Sequence, residues 1–253
     1  MRMHVLPGGR LRMRRRIYFP DAPKEEAIDL PVSAHLLRHP SGNVLFDSGC
    51  NPEVARDPEG RWGGLAKVMQ PAMSEDETVI ASLGRIGVAP DDIDLVVCSH
   101  LHPDHCGCTA FFRKATILCH ADELAAARAP DAEKAGFLPG EWDVGLPIET
   151  FEGERDLFGD GRIVLLPLPG HTQGTVGCLV SLERSGSFLL ASDAVALKAH
   201  LDRDFLPRNT WNPELASRSL AEVRRLEAAG ATVVCGHDEG QWRELRKEVE
   251  SYD

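Results

Sequence analysis

The segment His100-Leu101-His102-Pro103-Asp104-His105 places three imidazoles and one carboxylate within six residues. Donors crowded in this way repel one another and resist desolvation unless a divalent cation offsets the cost. Neutral imidazole and carboxylate are ordinary ligands for such a cation. Asp94 to Ser99 reads as a short buried strand running straight into His100. An extended chain points His100 and His102 the same way, and Asp104 and His105 then fall on the following turn, able to face a second position. One cation does not need all four donors. Two cations do.

The same arrangement recurs along the chain. Strand-like runs at Arg162 to Pro167, Phe188 to Ala191 and Thr232 to Cys235 stop just before His171, Asp193 and His237 respectively. Strand ends at one sheet edge are where a rigid scaffold presents functional loops. Further strands are expected at Val32 to Leu37 and Val44 to Asp47, joined by a turn through Pro40, Gly42 and Asn43, and at Ala115 to Cys119. Helices are expected at Thr78 to Ile86, Ala121 to Arg128 and Pro213 to Ala229, with Gly87 and Gly230 as stops. Strands interleaved with helices predict an α/β sandwich with helices outside the sheets. Nothing divides the 253 residues, so 1–253 is expected to form a single domain.

Composition excludes several classes. The net charge of -11 disfavours nucleic acid as a partner, because phosphate binding requires a basic surface. The arginines between Arg10 and Arg16 read as a solvated strand edge. No apolar run is long enough to cross a bilayer, and no apolar stretch follows the arginines as a secretory signal requires. Seven irregularly spaced cysteines fit a reducing compartment, which makes the cytoplasm the expected location. The expected partner is a small-molecule substrate, without nucleic acid or membrane; a homodimer is the one protein assembly considered.

Ser99-His100-Leu101-His102-Pro103-Asp104-His105-Cys106-Gly107 resembles the HxHxDH signature of the metallo-β-lactamase superfamily. In the same order, Pro169-Gly170-His171-Thr172 resembles the PGHT motif, Asp193 the bridging aspartate and Gly236-His237 the last histidine. Leu45-Phe46-Asp47-Ser48-Gly49 resembles the family's strand-Asp-x-Gly element. The resemblance spans about residues 30 to 240 and implies an αββα sandwich with the metal site at one edge of the two sheets. It further implies that His100, His102 and His171 hold one metal, that Asp104, His105 and His237 hold a second, and that Asp193 bridges them. Asp47 would orient a ligand from behind. Two divalent ions, zinc by their donor set, would share a hydroxide, with Asp104 as the catalytic proton carrier.

Within the superfamily the chain looks most similar to the N-acyl homoserine lactonase branch, which implies lactone opening and quorum quenching. A phosphodiesterase or phosphotriesterase and a glyoxalase II-like thioester hydrolase are the alternatives on the same metal site. One departure is clear. That branch usually carries a tyrosine three residues after the bridging aspartate, as a donor to the substrate carbonyl, and here Ala196 stands there. Either Lys198, His200 or Asn209 replaces that donor or the metals suffice alone. His4, His35, His39, His120 and His200 are expected to be structural, and Cys106 and Cys108 to be small buried side chains rather than thiolate ligands. The stretch Asn51 to Met73 is expected as a long surface loop or a short helix with loops. Its Trp62, Leu65, Val68, Met69 and Met73 serve either as a substrate wall or as ordinary core or dimer contacts.

Overall fold

In the computed structural model, which describes residues 1–203 and 205–253, twelve strands form two sheets among the described residues. In chain order the strands are β1 (Arg2–Arg14), β2 (Ala27–His39), β3 (Gly42–Phe46), β4 (Gln70–Pro71), β5 (Leu95–Val97) and β6 (Thr116–His120), followed by β7 (Ile148–Phe151), β8 (Arg155–Asp156), β9 (Ile163–Pro167), β10 (Val176–Leu182), β11 (Gly186–Ser192) and β12 (Thr232–Cys235). The first sheet has the order β4-β1-β2-β3-β5-β6-β7 and the second β12-β11-β10-β9-β8.

The inner faces of both sheets meet in one apolar layer. Leu37, Phe46, Val97 and Leu118 from the first sheet pack against Leu165, Cys178, Val180, Leu190 and Val234 from the second. Period-two alternation produces this: in β10, Val176, Cys178, Val180 and Leu182 are buried at every second position. Helices cover the two outer faces. Val79–Arg85 and Ala121–Ala127 bury Val79, Leu83, Leu124 and Ala127 on the first sheet. Pro213–Ala228 buries Leu220 and Val223 on the second. Asn212 caps that last helix by accepting from the amides of Glu214 and Leu215, and Pro213 fills a first-turn position that needs no donor. The result is the expected αββα sandwich.

Strand direction brings the chemistry to one edge. β3 and β5 pair in parallel, as do β11 and β12. β9 is two antiparallel steps from β11 and so runs the same way. Asp47, His100, His171, Asp193 and His237 therefore all follow strands that end at corresponding places.

Arg10, Arg12 and Arg14 lie on β1, whose outer neighbour is only the two-residue β4, and Arg15 and Arg16 lie on the turn that follows. Arg12 pairs with Asp29 at 2.7 Å and Arg10 with Glu239 at 2.7 Å, which is the charged strand edge foreseen. β10 was not foreseen, because Gly177 and Ser181 interrupt its apolar run. Residues 51–73 form the helix Pro58–Trp62 between turns and end in β4, which pairs with Leu11 and Arg12 of β1. Among the described residues no helix is long and apolar enough to cross a membrane.

Candidate metal centre

Past β5 the chain continues extended to His102, which precedes a single helical turn, Pro103–Cys106. Pro103 at its first position and the extended His102 before it follow from proline's own constraints. This turn sets Asp104 and His105 beside His100, whose ring lies 4.6 Å from that of His102 and 4.1 Å from that of His105. Three groups of side chains then converge: His100 with His102 and His171, His100 with His105 and Asp193, and Asp104 with His105 and His237. Within each group the ligand atoms lie within 4.8 Å of one another.

His102 Nδ1 lies 3.1 Å from Nε2 of both His100 and His171. Asp193 stands between the groups. Its Oδ2 is 3.4 Å from His171 Nε2, while its Oδ1 is 3.0 Å from His237 Nε2 and 3.6 Å from His105 Nε2. Asp104 Oδ2 lies 3.4 Å from His105 Nε2 and 3.6 Å from His237 Nε2. All seven residues expected as ligands are thus brought together, and all but His102, which is half-buried, are buried.

The outer nitrogens of these histidines show what the inner ones are for. His102 Nε2 donates to the Ala135 carbonyl at 3.0 Å, and His237 Nδ1 donates to the Pro31 carbonyl at 2.9 Å. His105 Nδ1 donates to Asp47 Oδ2 at 2.9 Å. A proton fixed on the outer nitrogen turns the inner nitrogen toward the centre. His105 Nε2 is fully buried there and makes no hydrogen bond, which suits a cation between the side chains.

Electrostatics agree. Burial and the neighbouring imidazoles hold His100 well below the ordinary histidine value. Burial and His171 bring His102 down to about 4, so both present lone pairs at neutral pH. Burial works against a charge on His105 and on His237, yet nearby carboxylates, Asp104 and Asp47 for the first and Asp193 for the second, lift both above the ordinary value. Burial likewise opposes a charge on Asp193, but His237 and His171 hold it well below the usual carboxylate range. The carboxylates therefore require positive charge between them, as protons or as bound cations. The donor set fits divalent metal ions.

Supporting residues complete the centre. Asp47 accepts from the Ser99 amide at 2.7 Å and from Ser99 Oγ at 2.9 Å, besides orienting His105 as expected. Asp47 and Ser192 have φ of 60° and 47°, a backbone strain concentrated beside the ligands. Glu123 went unnoticed in the sequence, where it is one more acid in a helical stretch. It is fully buried and accepts from the Leu101 amide at 2.9 Å, Thr172 Oγ1 at 2.7 Å and the Gly174 amide at 2.9 Å. One carboxylate thereby ties the loop of His100 and His102 to that of His171. Burial pushes Glu123 above the usual carboxylate range despite these bonds.

The remaining expectations sort cleanly. His4, His35, His39, His120 and His200 lie outside the three ligand groups. Cys106 and Cys108 are buried with their thiols pushed up by burial, and they donate to the carbonyls of His102 and Cys50. Of the replacement donors, Lys198 pairs with Asp202 at 3.1 Å and His200 Nε2 is held by the Tyr18 carbonyl at 3.0 Å. Asn209 does reach the cavity over the centre.

That cavity has a volume of about 180 Å³. His102, Asp104, His171, Asp193 and His237 form its floor, and Met13, Ile17, Leu65, Val68 and Met69 supply its apolar wall. The Asn51 to Met73 stretch is divided in its role. Leu65, Val68 and Met69 line the cavity, while Trp62 is buried and donates to Glu141 at 2.9 Å as a core residue.

Residues 27–237 match the metallo-beta-lactamase superfamily. The chain is 34% identical over 260 residues to the N-acyl homoserine lactonase AttM of Azorhizobium caulinodans, covering 100% of this chain and 99% of that protein. It is 30% identical over 246 residues to an N-acyl homoserine lactonase of a Bacillus species, covering 96% and 95% respectively. The solved structure of an N-acyl homoserine lactone hydrolase, with the product N-hexanoyl-L-homoserine bound at its catalytic metal center, matches with a TM-score of 0.89 and 26% identity over 99% of this chain and 98% of that one. With its ligand groups gathered at the edge of an αββα sandwich and this likeness along its whole length, the chain belongs to the metallo-β-lactamase superfamily.

Proposed function

We propose that the protein is a dinuclear metal hydrolase that opens the ring of N-acyl homoserine lactones or closely related lactones. The observation that carries this is the cavity, whose floor is the ligand cluster and whose wall is apolar. A lactone has one polar reacting group and, when acylated, one apolar tail, and such a cavity accommodates both. The full-length likeness to relatives named as lactonases supports the same reading.

His100, His102 and His171 would hold one divalent ion, and Asp104, His105 and His237 the other, with Asp193 serving both. The imidazole-rich donor set supports zinc. Paired divalent ions bound there would supply a water acidified to a pKa of about 7 and a Lewis acid for an ester carbonyl. Asp104, on the cavity floor, accepts the proton that the attacking water gives up and returns it to the ring oxygen as the C–O bond breaks. Asp47 keeps His105 in one orientation throughout. The apolar wall orients the acyl chain and limits access of further water.

The packing of both sheets on one apolar layer supports a single hydrolase domain over residues 1–253. Seven free, buried cysteines support a reducing, cytoplasmic location.

The test is a panel of lactones, thioesters and phosphodiesters assayed with the metal-loaded protein, alongside metal analysis. Lactone opening with close to two metals per chain is expected, as is loss of both metals in Asp193→Ala. Phosphodiester or thioester turnover without lactone opening overturns the assignment.

A further inference from the structure

A carbonyl oxygen entering the cavity gathers negative charge as water adds to its carbon, and a hydrogen-bond donor placed there in advance stabilises that charge. Three lining side chains outside the ligand set carry donors: Tyr18, Lys134 and Asn209. Lys134 is exposed and paired with Asp131 at 2.8 Å, and Asn209 is exposed. Tyr18 is different, being only 2% exposed.

Its position is fixed from several sides. The residue closes the turn Arg15–Ile17 after β1, and its amide donates to the Arg15 carbonyl at 3.0 Å. Its own carbonyl accepts from His200 Nε2 at 3.0 Å, and its ring stacks on that imidazole with centroids 6.4 Å apart. The ring packs in the same apolar cluster as Ala196 and Leu197, which follow Asp193 in the chain. Yet among the described residues the hydroxyl meets only the thioether of Met13, at 3.3 Å. Sulfur is a weak acceptor, whereas a buried phenol ordinarily finds a strong one. A rigidly held donor on a poor partner, beside the metal-ligand cluster, is in place for an oxygen that arrives from outside.

We propose that the Tyr18 hydroxyl is a catalytic donor that leaves the Met13 sulfur and binds the carbonyl oxygen of the lactone. This rests on the lactone-hydrolase reading. As the water oxygen bonds to the carbonyl carbon, the C=O π pair moves onto the carbonyl oxygen and the Tyr18 hydrogen bond strengthens. When the double bond re-forms, the ring C–O bond breaks and the ring oxygen receives the proton carried by Asp104. Tyr18 keeps its own proton throughout. Burial pushes its pKa well up, which keeps the donor protonated.

Tyr18→Phe keeps the ring and removes only the donor. In the metal-loaded variant kcat should fall on the order of a hundredfold while metal content and Tm stay at wild-type values. A second readout does not depend on turnover. Tyr18 and Tyr252 are the two tyrosines of the chain, so protein carrying 13C at tyrosine Cζ gives two signals. Saturating N-hexanoyl-L-homoserine should shift the signal that Tyr18→Phe deletes and leave the other in place. If the wild type opens no lactone, the hydrolase reading fails and takes this proposal with it. If the wild type opens lactones but Tyr18→Phe keeps kcat within about twofold, or the Tyr18 signal does not move with product, only the Tyr18 proposal is overturned.

Discussion

Gly236 lies directly against the carboxylate of Asp193: a Cβ at Gly236 would stand 2.5 Å from Asp193 Oδ1 and 3.0 Å from the Ser192 carbonyl oxygen. The absence of a side chain at one residue therefore sets where the carboxylate between the two ligand groups can stand. Gly236→Ala should displace Asp193 and lower metal affinity on the order of ten- to a hundredfold, the range found when ligand-orienting contacts are lost. Metal retention in a chelator titration checks this. Wild-type retention in the variant would show that Asp193 can shift without consequence.

Glu123 joins two ligand loops that are far apart in sequence, through bonds to Leu101, Thr172 and Gly174. Glu123→Gln keeps the size but sets an NH2 group against donors. At least one buried donor then loses its acceptor, a cost of about 1–3 kcal/mol. The urea midpoint should fall with an unchanged m value, and turnover should fall with it, because His171 is no longer held in register with His100 and His102. An unaltered midpoint would mean that the loops do not depend on this carboxylate.

His35, on β2, is buried with neither ring nitrogen bonded, and burial lowers its pKa from 6.5 to about 3. The folded state therefore refuses a proton that the unfolded chain takes up below about pH 6.5. Its contribution is fully present above that pH and is lost progressively as pH falls toward 3. Between pH 6.5 and 5 the loss amounts to roughly 2 kcal/mol. His35→Leu should leave stability at pH 8 unchanged or slightly raised, and should flatten the acid side of the stability profile measured by denaturant unfolding. A variant with the same acid slope as wild type would remove His35 from the account.

The sequence by itself determined which histidines and aspartates gather and their edge-of-sheet placement. His100 to His105 is one contiguous run, and each remaining ligand follows a strand whose apolar character is local, so residue type and spacing suffice. Asp47 was legible for the same reason, standing at the end of its own short strand. Tertiary structure alone decided what surrounds this cluster. Glu123 and Tyr18 carry no local mark, a helical acid and a tyrosine after a basic run being ordinary in sequence, and Gly236 is marked there only as the neighbour of His237, not as the residue that seats Asp193. They matter only because packing two sheets back to back brings chain segments far apart in sequence together: Glu123 against the loops that carry His100, His102 and His171, Gly236 against Asp193, and Tyr18 into the lining of the cavity. The same packing separated Leu65, Val68 and Met69, which face the cavity, from Trp62, which turns into the core, a division their shared apolar character does not encode.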